Sequence, residues 1–146
     1  MTNNHKFVWN DSYSVKVPVL DEQHKKFFDI AKHISDLPDN RDYSSFRKSL
    51  ILTIVELARY ALNSLRYEEE FLIKHNCNEC EEHCAFHDRF REKVKDLLKR
   101  ACDEKEDIHK LSDEVSAFAE NWITYHIAYV DKKCIDNMII DKANNF

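Results

Sequence analysis

Apolar residues recur along most of this chain at intervals of three and four, the spacing of one face of an α-helix. The first such stripe runs through His24, Phe27 or Phe28, Ala31 and Ile34. Asp21 is a suitable N-cap for it, and Pro38 predicts an end near Leu37. A second, longer stripe passes through Phe46, Leu50, Ile54, Leu57, Ala61, Leu65 and Leu72. Ser44 or Ser45 is expected to cap it after a DNRDYSS turn, and it should stop near His75. A third runs from about Glu79 to Cys102, with His83, His87, Phe90, Val94, Leu97 and Ala101 inward. A fourth starts around Ile108 or Lys110 and carries Leu111, Val115, Phe118, Trp122, His126 and Tyr129 or Val130. The remaining KKCIDNMII reads as a short continuing or terminal helix.

Residues 1–20 break this rhythm. Phe7, Trp9, Tyr13, Val15, Val17 and Val19 fall on odd positions, a period of two. With Pro18 and no partner strand, the segment is expected to be an extended arm whose aromatics cover one end of the helices. The predicted architecture is all-α: an up-down-up-down antiparallel four-helix bundle with an N-terminal arm. One domain is expected over 1–146, with the arm at 1–20, the bundle at about 21–131 and a short C-terminal segment at 132–146.

Composition narrows this further. Gly is absent and Pro occurs twice, which disfavours a turn-rich sheet fold. A net charge of -5 without a large basic cluster argues against nucleic-acid binding. No run of 18 apolar residues suggests a membrane span, and the polar N-terminus lacks an apolar signal core. A cytoplasmic location is therefore expected, with the five cysteines more at home as thiols than as disulfides.

The polar residues inside the stripes carry the chemistry. His83 and His87 are four apart, one above the other on a helix. Glu68 interrupts an apolar stripe, where a carboxylate is costly unless paired or bound to metal. In the predicted topology His24, His83 and His87 are early in helices running one way. Glu68, His126 and Asp131 are late in helices running the other way. All six reach one end of the bundle. Four imidazoles and two carboxylates exceed a tetrahedral zinc site. They suit two metal ions bridged by Glu68 and Asp131, and nitrogen and oxygen donors without thiolate fit iron or manganese.

With these residues in place, the chain resembles the bacterial hemerythrins. The resemblance lies in the Trp9 and Val15–Val17 arm, DEQH ending at His24, EEEFL after Tyr67, HCAFH from His83 to His87, and WITYHIAYVD from Trp122 to Asp131. It implies a non-haem diiron centre that binds dioxygen. His83, His87 and His126 would hold one iron and His24 the other. Glu68 and Asp131 would bridge them, with an oxo or hydroxo bridge between. The family pattern has a histidine four residues before the bridging glutamate, where this chain has Ser64. Tyr60, one turn earlier, is the additional ligand candidate.

The resemblance implies oxygen storage, delivery or sensing. Ser64 raises a rival: a diiron redox enzyme or a protein reactive toward peroxide or nitric oxide. A bundle using metal only for stability is the third reading. The expected partners are a small diatomic or peroxide ligand and an unknown redox or signalling protein. Trp122, Phe27, Phe28 and Leu72 are expected in the pocket wall. Cys77, Cys80 and Cys84 begin with a CxxC spacing, and Cys84 should point away from the centre. Glu69 and Glu70 are expected at the surface.

Overall fold

A computed structural model describes residues 8–37, 42–77 and 80–144, with side chains to Met138. The bundle is built from α1 (Pro18–Ser35), α2 (Tyr43–Tyr60), α3 (Arg66–Lys74), α4 (Cys80–Ala101), α5 (Ile108–Asn121) and α6 (Lys132–Asn144). Two π-type segments join some of these into longer rods. Ala61–Leu65 links α2 to α3, and Trp122–Asp131 links α5 to α6. Four rods result. α1 packs against α2 and α5, and α4 against α2 and α5, while α2 and α5 also meet across the bundle. The all-α four-helix bundle expected from the stripes is the observed architecture.

Several boundaries differ from the pattern-based expectation, each for a local reason. α1 begins at Pro18 rather than Asp21, because proline at the first helical position fixes φ and loses no helix hydrogen bond. Asp21 instead reaches back to the arm. Its carboxylate accepts from Val15 N at 2.9 Å and from Ser14 Oγ at 2.6 Å. The second rod is capped by Asp42, not by Ser44 or Ser45. Asp42 Oδ1 accepts from the Ser44 and Ser45 amides, so those serines lie inside the helix. Asp107 caps α5 in the same way through the His109 and Lys110 amides.

The arm is not simply extended. Asp11–Tyr13 form a single 3₁₀ turn with Asn10 as its cap. Its aromatics do cover the bundle: Phe28 meets Trp9 edge-on at 5.5 Å and Tyr13 at 4.8 Å. Phe7, part of the alternating pattern, lies outside the described residues, as do Pro38 and Glu79.

α3 ends in a Schellman motif. Asn76 takes a left-handed φ of 56°, which asparagine tolerates better than most residues. Asn76 N then donates to Ile73 O at 3.1 Å and Cys77 N to Leu72 O at 3.0 Å.

The core is divided. A large cluster includes Phe27, Leu50, Ile54, Leu57, Tyr60, Leu65, Phe90, Val94, Trp122 and Ile127. A small one comprises Val15, Leu20, Leu72, Cys134, Ile135 and Met138. Between them lies a polar layer. On the first rod, His24 separates Leu20 from Phe27; on the second, Glu68 separates Leu65 from Leu72. On the last, Asp131 separates Ile127 from Cys134. Burying six ionisable side chains in that layer is expensive unless they satisfy one another or bind a cation.

Candidate metal centre

The six residues of that layer, His24, Glu68, His83, His87, His126 and Asp131, are all at least 97% buried. Glu68, His83, His87, His126 and Asp131 each offer a donor atom within 4.8 Å of the others'. His24 completes the layer from the other side. The two carboxylates divide their oxygens between these groups. Glu68 Oε1 lies 2.7 Å from His83 Nε2 and 3.4 Å from His87 Nε2. Asp131 Oδ1 lies 2.7 Å from His83 Nε2 and 3.0 Å from His126 Nε2. The remaining oxygens, Glu68 Oε2 and Asp131 Oδ2, lie 3.3 and 3.1 Å from His24 Nε2. Each carboxylate therefore shows one oxygen to a three-histidine side and one to a one-histidine side.

These contacts are close, yet they do not amount to a satisfied hydrogen-bond network. Both Asp131 oxygens are buried without a hydrogen-bond partner among the described residues, although three imidazole nitrogens stand within 3.1 Å. His87 Nε2 and His126 Nε2 face each other at 3.1 Å. Glu68 accepts from His24 and His83, but the Asp131 oxygens and the Nδ1 atoms of His24, His83 and His126 stay unmet among the described residues. That arrangement fits metal ions held by nitrogen and carboxylate oxygen.

The electrostatics make the same demand. Burial and the charge on Asp131 oppose ionisation of Glu68, but His24, His83 and His87 outweigh them and pull it down to about 2. Burial opposes ionisation of Asp131 too, and His126, His24 and His83 hold it well below the usual carboxylate range. On His24, burial disfavours the cation; the adjacent Asp131 and Glu68 carboxylates prevail and raise it to about 10. The same balance, with Asp131 foremost among the partners, raises His83. At His126 burial dominates and lowers it. Two buried carboxylates thus stay ionised and require positive charge beside them.

His87 is oriented from outside. Its Nδ1 donates to Glu69 Oε2 at 2.8 Å, which turns Nε2 toward the centre. Glu69 Oε1 in turn accepts from Arg91 Nη2 at 2.9 Å. Glu69 is therefore not a plain surface acid; its side chain is 17% exposed and belongs to the site's support. The run Glu68-Glu69-Glu70 hid this, since nothing in three adjacent acids marks the second. The available signal was Arg91, four residues after His87 on the same helix face.

The π segments set the angles. At 100° per residue, a five-residue step on an α-helix turns Asp131 roughly 140° from His126. The wider π turn, bonded i to i+5, brings residues five apart close to one another, and His126 and Asp131 both face inward. The other π segment contains Ser64, which is 6% exposed and one turn before Glu68. Ser64, Tyr60, Asn63, Ile30, Lys26 and Arg59 line part of a cavity of about 290 Å³.

The remaining candidates separate. Tyr60 is buried among aromatics, 4.9 Å from the Phe27 ring and 5.9 Å from Phe90. Burial, with the Glu68 and Asp131 charges, raises its phenol well above its ordinary value. Trp122 stacks on His126, with ring centres 3.8 Å apart, and lies 5.9 Å from His87. Phe28 faces the arm, and Leu72 belongs to the small cluster beyond the polar layer. Phe27, also among the wall candidates, meets Tyr60, Phe90 and Trp122.

Comparison with known proteins agrees with this geometry. The model of the hemerythrin HHE cation-binding domain matches residues 15–135. The chain is 31% identical over 130 residues to a bacteriohemerythrin of Clostridium acetobutylicum, covering 89% of this chain and 99% of that one. It is 27% identical to a myohemerythrin of Riftia pachyptila, covering 90% and 93%. A hemerythrin-like protein of Naegleria gruberi is 29% identical, with 87% and 89% covered. No solved structure matches the chain significantly. A four-helix bundle with a buried histidine–carboxylate layer, matched over most of its length by this family's model, belongs to the hemerythrin family.

Proposed function

We propose that this protein is a non-haem diiron protein that binds dioxygen, for storage, delivery or sensing. The observation that carries the reading is the division of the carboxylates: one oxygen of each toward His83 and its partners, one toward His24. That is the arrangement two bridging ligands require. His83, His87 and His126 would hold one iron, His24 the other, with Glu68 and Asp131 shared. Iron held by these residues would supply reversible electron transfer to a small oxidant.

The chain's own residues do the rest. Glu69 and Arg91 fix the His87 ring. Trp122, Phe90 and Phe27 form an aromatic wall on that side, with a cavity of about 620 Å³ along Trp122, Phe90 and His126 through which a small diatomic molecule could approach. Purified protein loaded anaerobically should contain about two irons per chain. On exposure to air its visible absorption should change, and it should return on removal of oxygen. One iron per chain would overturn the diiron reading. Two irons with no spectral response would overturn oxygen binding and favour a metal-stabilised bundle.

A second reading, a peroxide- or nitric-oxide-reactive protein, is favoured by Ser64. In this reading Ser64 stands where the family supplies an imidazole, and its hydroxyl is too short to replace one. The His24 side then keeps a position open to water or substrate, beside the cavity that Ser64 and Tyr60 line. Rapid, irreversible oxidation with consumption of added peroxide would select it.

A further inference from the structure

Four of the five cysteines collect around the small core cluster and the start of α4, and two of them stand apart from the rest by their geometry. Cys77 Sγ and Cys134 Sγ are 2.9 Å apart, although 57 residues separate them in sequence. A disulfide bond is about 2.05 Å long, so the sulfurs need to close by under about 1 Å. The CxxC spacing points to Cys80 as the partner of Cys77, but the fold brings Cys134 there instead. Cys80 pairs off with Cys84 within one turn of α4, with sulfurs 4.0 Å apart. Cys102 is exposed at the other end of α4.

Separate elements place the two sulfurs. The Schellman motif pins Cys77 through its amide to Leu72 O, and the Cys77 side chain packs against the small cluster. Cys134 belongs to that cluster from α6, three residues after Asp131. Their exposures also differ. Cys77 is half-buried, whereas Cys134 is 1% exposed. An oxidant arriving from solvent therefore meets Cys77 first and finds Cys134 waiting behind it.

We propose that Cys77 and Cys134 form a reversible thiol–disulfide pair, oxidised by hydrogen peroxide or an organic hydroperoxide, that ties the end of α3 to α6. Cys77 gives up its proton, and its sulfur attacks one peroxide oxygen. The O–O bond breaks, Cys77 becomes a sulfenic acid, and the departing oxygen takes the proton to leave as water or an alcohol. Cys134 Sγ then attacks the Cys77 sulfur. The S–O bond breaks, the S–S bond forms, and the hydroxyl departs as water with the Cys134 proton. Two thiols lose two electrons, and one peroxide gains them. The bond closes a loop spanning the whole of α4 and α5, and it restrains the helix that continues directly from Asp131. A dithiol reductant reverses it. Nothing in this chemistry requires metal, although Cys134 also contacts His83, so the bond would form beside the metal-binding layer.

The test treats the purified full-length protein with one equivalent of hydrogen peroxide, followed by alkylation and peptide mapping without reduction. The expected product is a Cys77–Cys134 linked peptide that dithiothreitol releases, with Tm raised by about 5–10 °C in the oxidised protein. Cys134→Ser should leave Cys77 as a sulfenic acid that dimedone labels, while Cys77→Ser should leave Cys134 unmodified. Replacing both Cys80 and Cys84 by Ala should leave the link intact. A Cys77–Cys80 or Cys80–Cys84 link as the main product, overoxidation of Cys77 without a link, or both thiols unmodified would each overturn the pairing.

Discussion

The two sides of the polar layer share their carboxylates and differ in almost everything else. On one side three imidazoles converge, Trp122 stacks on His126, and Glu69 and Arg91 orient His87. On the other, His24 is the one imidazole among the described residues, and Ser64 and Tyr60 border a cavity that reaches charged surface residues. The first side is the richer in donors and in residues that support them. The second has fewer donors, and both border cavities, about 290 Å³ beside Ser64 and about 620 Å³ along Trp122 and His126. The contrast therefore lies in donors and their support rather than in room, and it predicts that each half can be altered separately.

Removing the shared element should erase the contrast altogether. Glu68→Ala takes one oxygen from each side, and iron content by metal analysis should fall from about two per chain to below one. The affinity loss should exceed the roughly 10- to 100-fold cost of disturbing an outer partner. His24→Ala should break it selectively: iron should settle near one per chain, retained by His83, His87 and His126. Loss of both irons would show that the sides do not act independently. Glu69→Gln keeps the shape but removes the charge that orients His87, so metal affinity should drop about 10- to 100-fold on the richer side. Titration with a competing chelator reads this directly.

Ser64→His should narrow the difference by adding an imidazole to the poorer side. The oxygenated protein should then last several-fold longer before oxidising, as followed by absorption. An unchanged lifetime would detach Ser64 from the chemistry.

The smallest effect concerns pH in the protein without metal. Glu68, lowered to about 2, contributes stability that is present above the unfolded carboxylate value and lost as pH falls toward 2. His24, raised to about 10, contributes stability that is complete below the unfolded imidazole value and lost as pH rises toward 10. Denaturation midpoints should therefore peak between about pH 4.5 and 6.5. Metal replaces the imidazole protons, so loaded protein should hold its midpoint at higher pH.

The polar layer was legible in the sequence because histidine and glutamate at inward positions contradict an apolar stripe. Six such contradictions at one depth leave a clear mark. The π segments leave none, since neither Gly nor Pro marks Ala61–Leu65 or Trp122–Asp131. Their wider turns arise from what the surrounding helices must accommodate. Glu69 was hidden among like neighbours. The Cys77–Cys134 approach depends on how the second and fourth rods lie together, so only the fold reveals it. Helix starts at Pro18 and Asp42 were missed because stronger-looking caps lay a few residues downstream.

The wide turns of Trp122–Asp131 also set the phase of everything after them. The π segment holds one residue more than an α-helix of the same phase, so inserting a further residue there would rotate the downstream chain by about 100°. Asp131 would swing away from the imidazoles, and Cys134, Ile135 and Met138 would leave the small cluster together. The final helix is thus indexed to the metal-binding layer like a gear tooth. A family member with one residue fewer in this segment would keep the site and its tail in register on a plain α-helix, whereas one residue more would need compensation within the same helix.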